Sequence, residues 1–158
     1  SAKKELGGGV LLELSHEIDI ANWLIGPLKL KYANLQPSGL LPIDVEDRAL
    51  LVAENSEGVL ISIRLNFCSE PPARKVKIRG EKGQISWDMF LGKLEIKNDQ
   101  DIIYKHKNNI DMESIFLIQI KHFLDCASNS QHPICNISDG ISALEIIQRA
   151  REIDKLNS

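Results

Sequence analysis

The hydrophobic pattern changes period twice along the chain. From Val10 to Ile25 apolar residues recur at helical spacing, with Leu11, Leu14, Ile18, Ala21 and Ile25 on one side. No Pro or Gly interrupts this run after Gly9, and Gly26-Pro27 is the punctuation expected where a helix stops. The spacing predicts a single helix of roughly four turns, opened by the glycine turn Gly7-Gly8-Gly9. Residues three and four apart share a helix face, so Glu13, His16, Asp19 or Ile20, and Trp23 form the opposite stripe.

A period of two then takes over. Leu28, Leu30 and Tyr32 alternate with polar neighbours, and Pro37, Gly39 and Pro42 mark the loop that follows. Residues 48–53 and 59–67, joined by Asn55-Ser56-Glu57-Gly58, read as a hairpin. In its second arm Val59, Ile61, Ile63, Leu65 and Phe67 alternate with Ser62, Arg64 and Asn66, which leaves a polar face for water, substrate or another subunit. Beyond Pro71-Pro72, short alternating runs at 74–79, 84–90, 93–97 and 102–105 are separated by tight turns. Links this short imply antiparallel neighbours, because a parallel pair needs a crossover of about a dozen residues or more.

Helical spacing returns after Asp111, which reads as a cap for Ile115, Phe116, Ile118, Ile120, Phe123 and Leu124, the helix ending near Cys126-Ala127-Ser128. After a loop at 129–133, Ser138 or Asp139 is expected to cap a last helix carrying Ile141, Leu144, Ile147, Ala150, Ile153 and Leu156. The order of elements predicts an α+β fold in one domain over residues 1–158. Its architecture is a single open, mainly antiparallel sheet of six to seven strands with helices packed on one face.

Composition narrows the function classes. The 158 residues are 43% hydrophobic, enough for a core, and the net charge of −3 without a Lys/Arg cluster gives nucleic acid no electrostatic footing. No apolar run reaches the roughly 18 residues of a membrane span. Cys68, Cys126 and Cys135 are an odd number without CxxC spacing, which argues against a disulfide framework or a zinc site and makes a reducing cytoplasm the simplest compartment. Asn136-Ile137-Ser138 matches a glycosylation acceptor by chance. Residues 1–6 read as a cut rather than a natural beginning, since no initiator Met precedes the glycine turn.

The chemistry-bearing stretch is the first helix. A histidine beside carboxylates is a candidate general acid/base, with Glu13 or Asp19 setting the tautomer and charge of His16. The same residues also fit a capping and surface-charge pattern. His106, His122 and His132 have no metal-ligand spacing with a carboxylate, so no metal site is expected. Lys75, Lys77 and Arg79 read as a solvated strand face, and Trp87 and Phe90 as sheet packing.

Three motifs carry a resemblance. Gly7-Gly8-Gly9 followed by an acid, then His16-x-x-Asp19-x-x-x-Trp23-Leu24-x-Gly26, is the first. Val76-x-Ile78-x-Gly80-Glu81-Lys82-Gly83-x-Ile85 is the second. The third is Phe123-Leu124, then Pro133 and Asp139-Gly140-x-x-Ala143-Leu144. Together, and in this order, they resemble the C-terminal domain of the Gfo/Idh/MocA oxidoreductases over nearly the whole chain.

The resemblance implies a parent enzyme that joins a Rossmann domain to this open-sheet domain and acts on a sugar, cyclitol or nucleotide-sugar hydroxyl or carbonyl. Its cofactor would be NAD or NADP, held mainly by a domain absent from this chain, because neither a GxGxxG nor the family's Glu-Lys-Pro motif occurs here. On that footing the chain alone is expected to be inactive. His16 matches the catalytic histidine and Asp19 an orienting position. Glu13 stands near the family's acid, but three residues before His16 where many members have four. The open sheet face is expected to make a homo-oligomer. The rival reading is a non-catalytic oligomerisation or ligand-binding module with the same fold.

Overall fold

The computed structural model describes residues 3–98, 101–107, 111–128 and 131–157, with residue 157 described by its backbone only. Two compact units emerge, one from Ser1–Cys68 together with Ile134–Ser158, the other from Ser69–Pro133.

The first unit opens with a 3-10 turn at Lys4–Leu6, followed by helices α1 (Val10–Glu13) and α2 (Ser15–Ile25). Strands β1 (Lys29–Gln36), β2 (Arg48–Glu54) and β3 (Leu60–Asn66) pair antiparallel in the order β1-β2-β3. The long C-terminal helix, Ile137–Asn157, packs on β1 and is α4 below. Alternation decides which strand face is covered. Ala33, Ala49, Leu51, Ala53 and Leu65 are buried, while Ser62, Arg64 and Asn66 of β3 are exposed as the sequence predicts. Against the buried face lie Val10, Leu11 and Ile18 from α1 and α2, and Ala143, Ile146, Ile147 and Ala150 from α4. Fully buried side chains such as Leu11, Ile18 and Leu51 contribute about 1.5–3 kcal/mol each through removal from water.

Two buried polar residues fasten this unit. Asn55 donates from Nδ2 to the Ile25 carbonyl at 2.9 Å, and its Oδ1 accepts from the amides of Glu57 and Val59 at 2.9 and 3.0 Å. One side chain thus closes the β2–β3 turn and ties it to the end of α2. Asp47, 1% exposed, accepts from the Ser38 amide at 2.7 Å, from the Ser38 hydroxyl, and from the Cys68 thiol at 3.7 Å. The Ser38 hydroxyl bond, more than the nearby Arg48, holds the Asp47 carboxyl below the usual aspartate range.

The second unit pairs β4 (Lys75–Gly80), β5 (Gly83–Asp88), β6 (Lys93–Lys97) and β7 (Ile102–Lys107) antiparallel in sequence order. Register aligns Val76 with Trp87, Ile78 with Ile85, Trp87 with Leu94, and Ile96 with Tyr104, so one face is apolar. Lys75, Lys77, Asp88, Lys93 and Glu95 fall on the other. Helix α3 (Met112–Ala127) follows, capped by Asp111, whose carboxylate accepts from the Glu113 amide at 3.2 Å and from the Ser114 hydroxyl. No described residue of this unit is fully buried.

The α+β class, the antiparallel pairing and the seven strands agree with the sequence reading. The strands fall into two sheets, three and four strands wide, where one was expected. The division lies at the β3–β4 link, whose Pro71 and Pro72 have no amide hydrogen for a ladder. The expected four-turn helix is also interrupted. Leu14 leaves the helical region at φ −105°, ψ 27°, which separates α1 from α2. The cap of α4 is Asn136 rather than Ser138 or Asp139. Its Oδ1 accepts from the Ser138 amide at 2.7 Å while Asp139 Oδ2 accepts from the Asn136 amide at 2.7 Å, a reciprocal capping box. Among the described residues no helix is long and apolar enough to cross a membrane.

Candidate active site

The glycine turn is fixed by what lies over it. Gly9 has φ +116°, a conformation that side chains rarely adopt, and a Cβ there would collide with the Glu46 carboxylate. The Val10 amide donates to the Glu46 carbonyl at 2.9 Å, which seats the first residue of α1 against the chain entering β2. Glu46 Oε1 is buried without a hydrogen-bond partner and lies 3.9 Å from Arg151 Nη2 of α4. The turn is therefore clamped between the loop before β2 and the last helix.

The break at Leu14 rearranges the expected stripe. His16 sits in the first turn of α2 with its side chain 50% exposed, and its Nε2 lies 3.2 Å from Glu17 Oε1. Glu17, not singled out from the sequence, is thus the carboxylate in contact with the imidazole. Its only sequence signal is adjacency, and neighbours on an ideal helix do not face each other. The pair lies in the first turn of α2, His16 half exposed and Glu17 largely covered. Glu13 is exposed at the end of α1, across the break from His16.

Asp19 faces different surroundings. It lines a cavity of about 760 Å³ built by the C-terminal half of α2, the chain entering β1 and the first turns of α4. Trp23, Cys135, Asp139 and Arg149 share that lining, whereas His16 and Glu13 do not. Burial of the sulfur, then the charges of Asp19 and Asp139, push the Cys135 thiol above its ordinary value. The structure brings Asp19 together with Asp139 and Cys135, which belong to the far end of the chain and share no local motif with it.

The described residues do not fit a dinucleotide. The glycine turn precedes a helix of only four residues, and the space over Gly9 is filled by the Glu46 carboxylate, which would repel a pyrophosphate. Among the described residues no group of three or more His, Cys, Asp or Glu is arranged to hold a metal.

The sequence matches the family described as "Oxidoreductase family, C-terminal alpha/beta domain" over residues 1–156. The chain belongs to the Gfo/Idh/MocA oxidoreductase family.

Among solved structures, levoglucosan dehydrogenase in complex with NADH and levoglucosan superposes with a TM-score of 0.83 at 17% identity, over 96% of this chain and 50% of that one. Aldose-aldose oxidoreductase from Caulobacter crescentus, complexed with glycerol, gives 0.80 at 18% identity over 96% and 47%. The WlbA dehydrogenase from Bordetella pertussis, in complex with NADH and UDP-GlcNAcA, gives 0.73 at 18% identity over 96% and 44%. The chain therefore spans about half the length of these structures. No curated protein matches by sequence.

Proposed function

We propose that this chain is the substrate-side domain of an NAD- or NADP-dependent oxidoreductase that interconverts a hydroxyl and a carbonyl on a sugar, cyclitol or nucleotide sugar. His16 is the general acid/base. The observation that carries this reading is the exposed His16 imidazole held 3.2 Å from a carboxylate at the start of α2, in a chain matched to the family over residues 1–156.

The contact with Glu17 supports one arrangement of the proton. Glu17 only accepts, so it holds the hydrogen on Nε2, and the neutral ring keeps its lone pair on Nδ1. Nδ1 takes the carbinol proton in the oxidative direction and returns it in the reductive one, while the Glu17 carboxylate stabilises the imidazolium that forms in between. Glu13 acts with His16 at the break between α1 and α2, and Asp19 binds or orients substrate from the neighbouring cavity that it lines. The nicotinamide accepts or supplies the hydride and is held by a domain outside this chain, which accords with the poor fit of the glycine turn to a pyrophosphate. By itself the chain is inactive. The parent works in the cytoplasm as a homo-oligomer joined through the open sheet face.

A binding module is the second reading, favoured by a cavity of about 760 Å³ that His16 does not line. The discriminating assay joins this chain to its dinucleotide-binding half and follows nicotinamide absorbance with a panel of sugars, cyclitols and nucleotide sugars. Turnover of any member supports the enzyme. Ligand binding without turnover across the panel supports the module.

A further inference from the structure

Strand register gathers cations that are scattered along the chain. Residues paired directly across neighbouring strands share a face, and β4 brings Lys75, Lys77 and Arg79 beside Asp88, Ser86 and Gln84 of β5. The next pairings set Lys93, Glu95 and Lys97 of β6 beside the same three β5 residues, and Lys107 and Lys105 of β7 beside Lys93 and Glu95. One face of the four-stranded sheet thus carries seven cations against two carboxylates, net +5, in a chain whose total is −3.

Both carboxylates are already engaged and largely covered. Asp88 lies 3.2 Å from Lys75 Nζ with its side chain 17% exposed, and Glu95 lies 3.0 Å from Lys93 Nζ with its side chain 13% exposed. The Leu91 amide and then Lys75 hold Asp88 below the usual aspartate range, and Lys93, with the charges of Lys97 and Lys105 behind it, does the same for Glu95. Among the described residues Lys77, Arg79, Lys97, Lys105 and Lys107 make no side-chain ion pair or hydrogen bond. The uncharged pair between the cationic strands, Gln84 and Ser86, is hydrogen-bonded to itself at 2.8 Å. What this face presents to solvent is therefore cationic.

Its form and residue types select the partner. The face is a row of four paired strands, about 14 Å wide, with no element standing out of it to enter a nucleic-acid groove. Trp87 and Tyr104 register on the opposite face, away from any base that would stack on them. Six of the seven cations are lysines, hydrated point charges that do not clasp a phosphate through two bonds as arginine does. A second copy of this face would set lysine against lysine, so the oligomer proposed above uses the polar face of the three-stranded sheet instead. An extended anionic surface engages all seven cations together, and each Lys or Arg near an anionic leaflet adds about fivefold in affinity. We propose that the lysine face of the four-stranded sheet docks the protein on anionic lipid bilayers as a peripheral, salt-sensitive contact.

The test mixes the full chain with vesicles of equal parts phosphatidylserine and phosphatidylcholine, or of phosphatidylcholine alone, and measures the sedimented fraction. Binding to the first and not the second is expected at about 0.1 M salt, with release near 1 M as the screening length falls from about 10 to 3 Å. Lys77→Glu combined with Lys107→Glu is expected to lower the partition coefficient at least about tenfold. Both side chains are exposed and unbonded among the described residues, so the pairing of the sheet does not depend on them. Arg64→Glu reverses an exposed cation on β3 and is expected to change the coefficient less than about threefold. Equal sedimentation with both vesicles, none with either, no loss in the double variant, or an equal loss in Arg64→Glu overturns the proposal. Displacement from the vesicles by a short DNA duplex or by polyglutamate at equal charge also overturns it, and reassigns the face to nucleic acid or to an acidic protein segment.

Discussion

Replacing Gly9 with Ala is the sharpest probe of how the candidate site is built. The backbone at φ +116° strains any side chain, at about 1–3 kcal/mol. The new methyl also meets the Glu46 carboxylate, and relieving that overlap costs roughly another 1–3 kcal/mol as overpacking. Together these predict a loss of about 2–6 kcal/mol, a large share of the roughly 5–15 kcal/mol available to a domain. Urea unfolding measures it, as a lower midpoint at unchanged slope.

The two contributions separate in a double-mutant cycle. In a Glu46→Ala background the overlap is gone and only backbone strain remains, so Gly9→Ala is expected to cost about 1–3 kcal/mol less there. Loss of the Glu46–Arg151 ion pair, 3.9 Å long and partly exposed, adds no more than about 1 kcal/mol. An equal cost for Gly9→Ala in both backgrounds refutes the overlap. A cost under roughly 0.5 kcal/mol refutes the strained turn altogether.

Two further outcomes follow from the buried polar residues. Asn55→Ala strips a carbonyl and two amides of their partner and is expected to cost about 1–3 kcal/mol in the same unfolding assay, while Ser56→Ala at the exposed tip of that turn serves as a near-neutral control. Asp47 titrates below its ordinary value of 3.8 in the folded chain, so its contribution is fully present above that value and is lost as pH falls through the lower folded value. Stability measured from pH 6 to 2 is expected to fall less steeply below pH 4 in Asp47→Asn than in the parent sequence, and parallel curves would remove Asp47 from the acid response.

Much of the fold is legible in local pattern. The alternation of Ile61, Ile63 and Leu65 with Ser62, Arg64 and Asn66 states which face of β3 is covered, and the structure buries Leu65 and half-buries Ile61 and Ile63 on that face. Asp111 announces α3 by a mechanism confined to two residues. What alternation leaves open is which strands are neighbours, because it specifies a face and not a partner, and so the division into two sheets at Pro71-Pro72 was not readable.

The site shows the same contrast. His16 is conspicuous as a residue type, yet its contact with Glu17 depends on the break at Leu14, where the sequence offers no Pro or Gly to announce it. Glu46 over Gly9, and Asp139 beside Asp19, are long-range meetings that no local motif encodes. The glycine turn advertised its own geometry but not the side chain that makes glycine necessary.

The central claim is that His16 moves the proton, and substitution in the protein that carries both this chain and its dinucleotide-binding half tests it directly. His16→Ala is expected to lower kcat by about two orders of magnitude or more, because general acid/base groups contribute on that scale, with dinucleotide affinity little changed if, as proposed, another domain holds the dinucleotide. An unchanged kcat would contradict the account and remove His16 from catalysis.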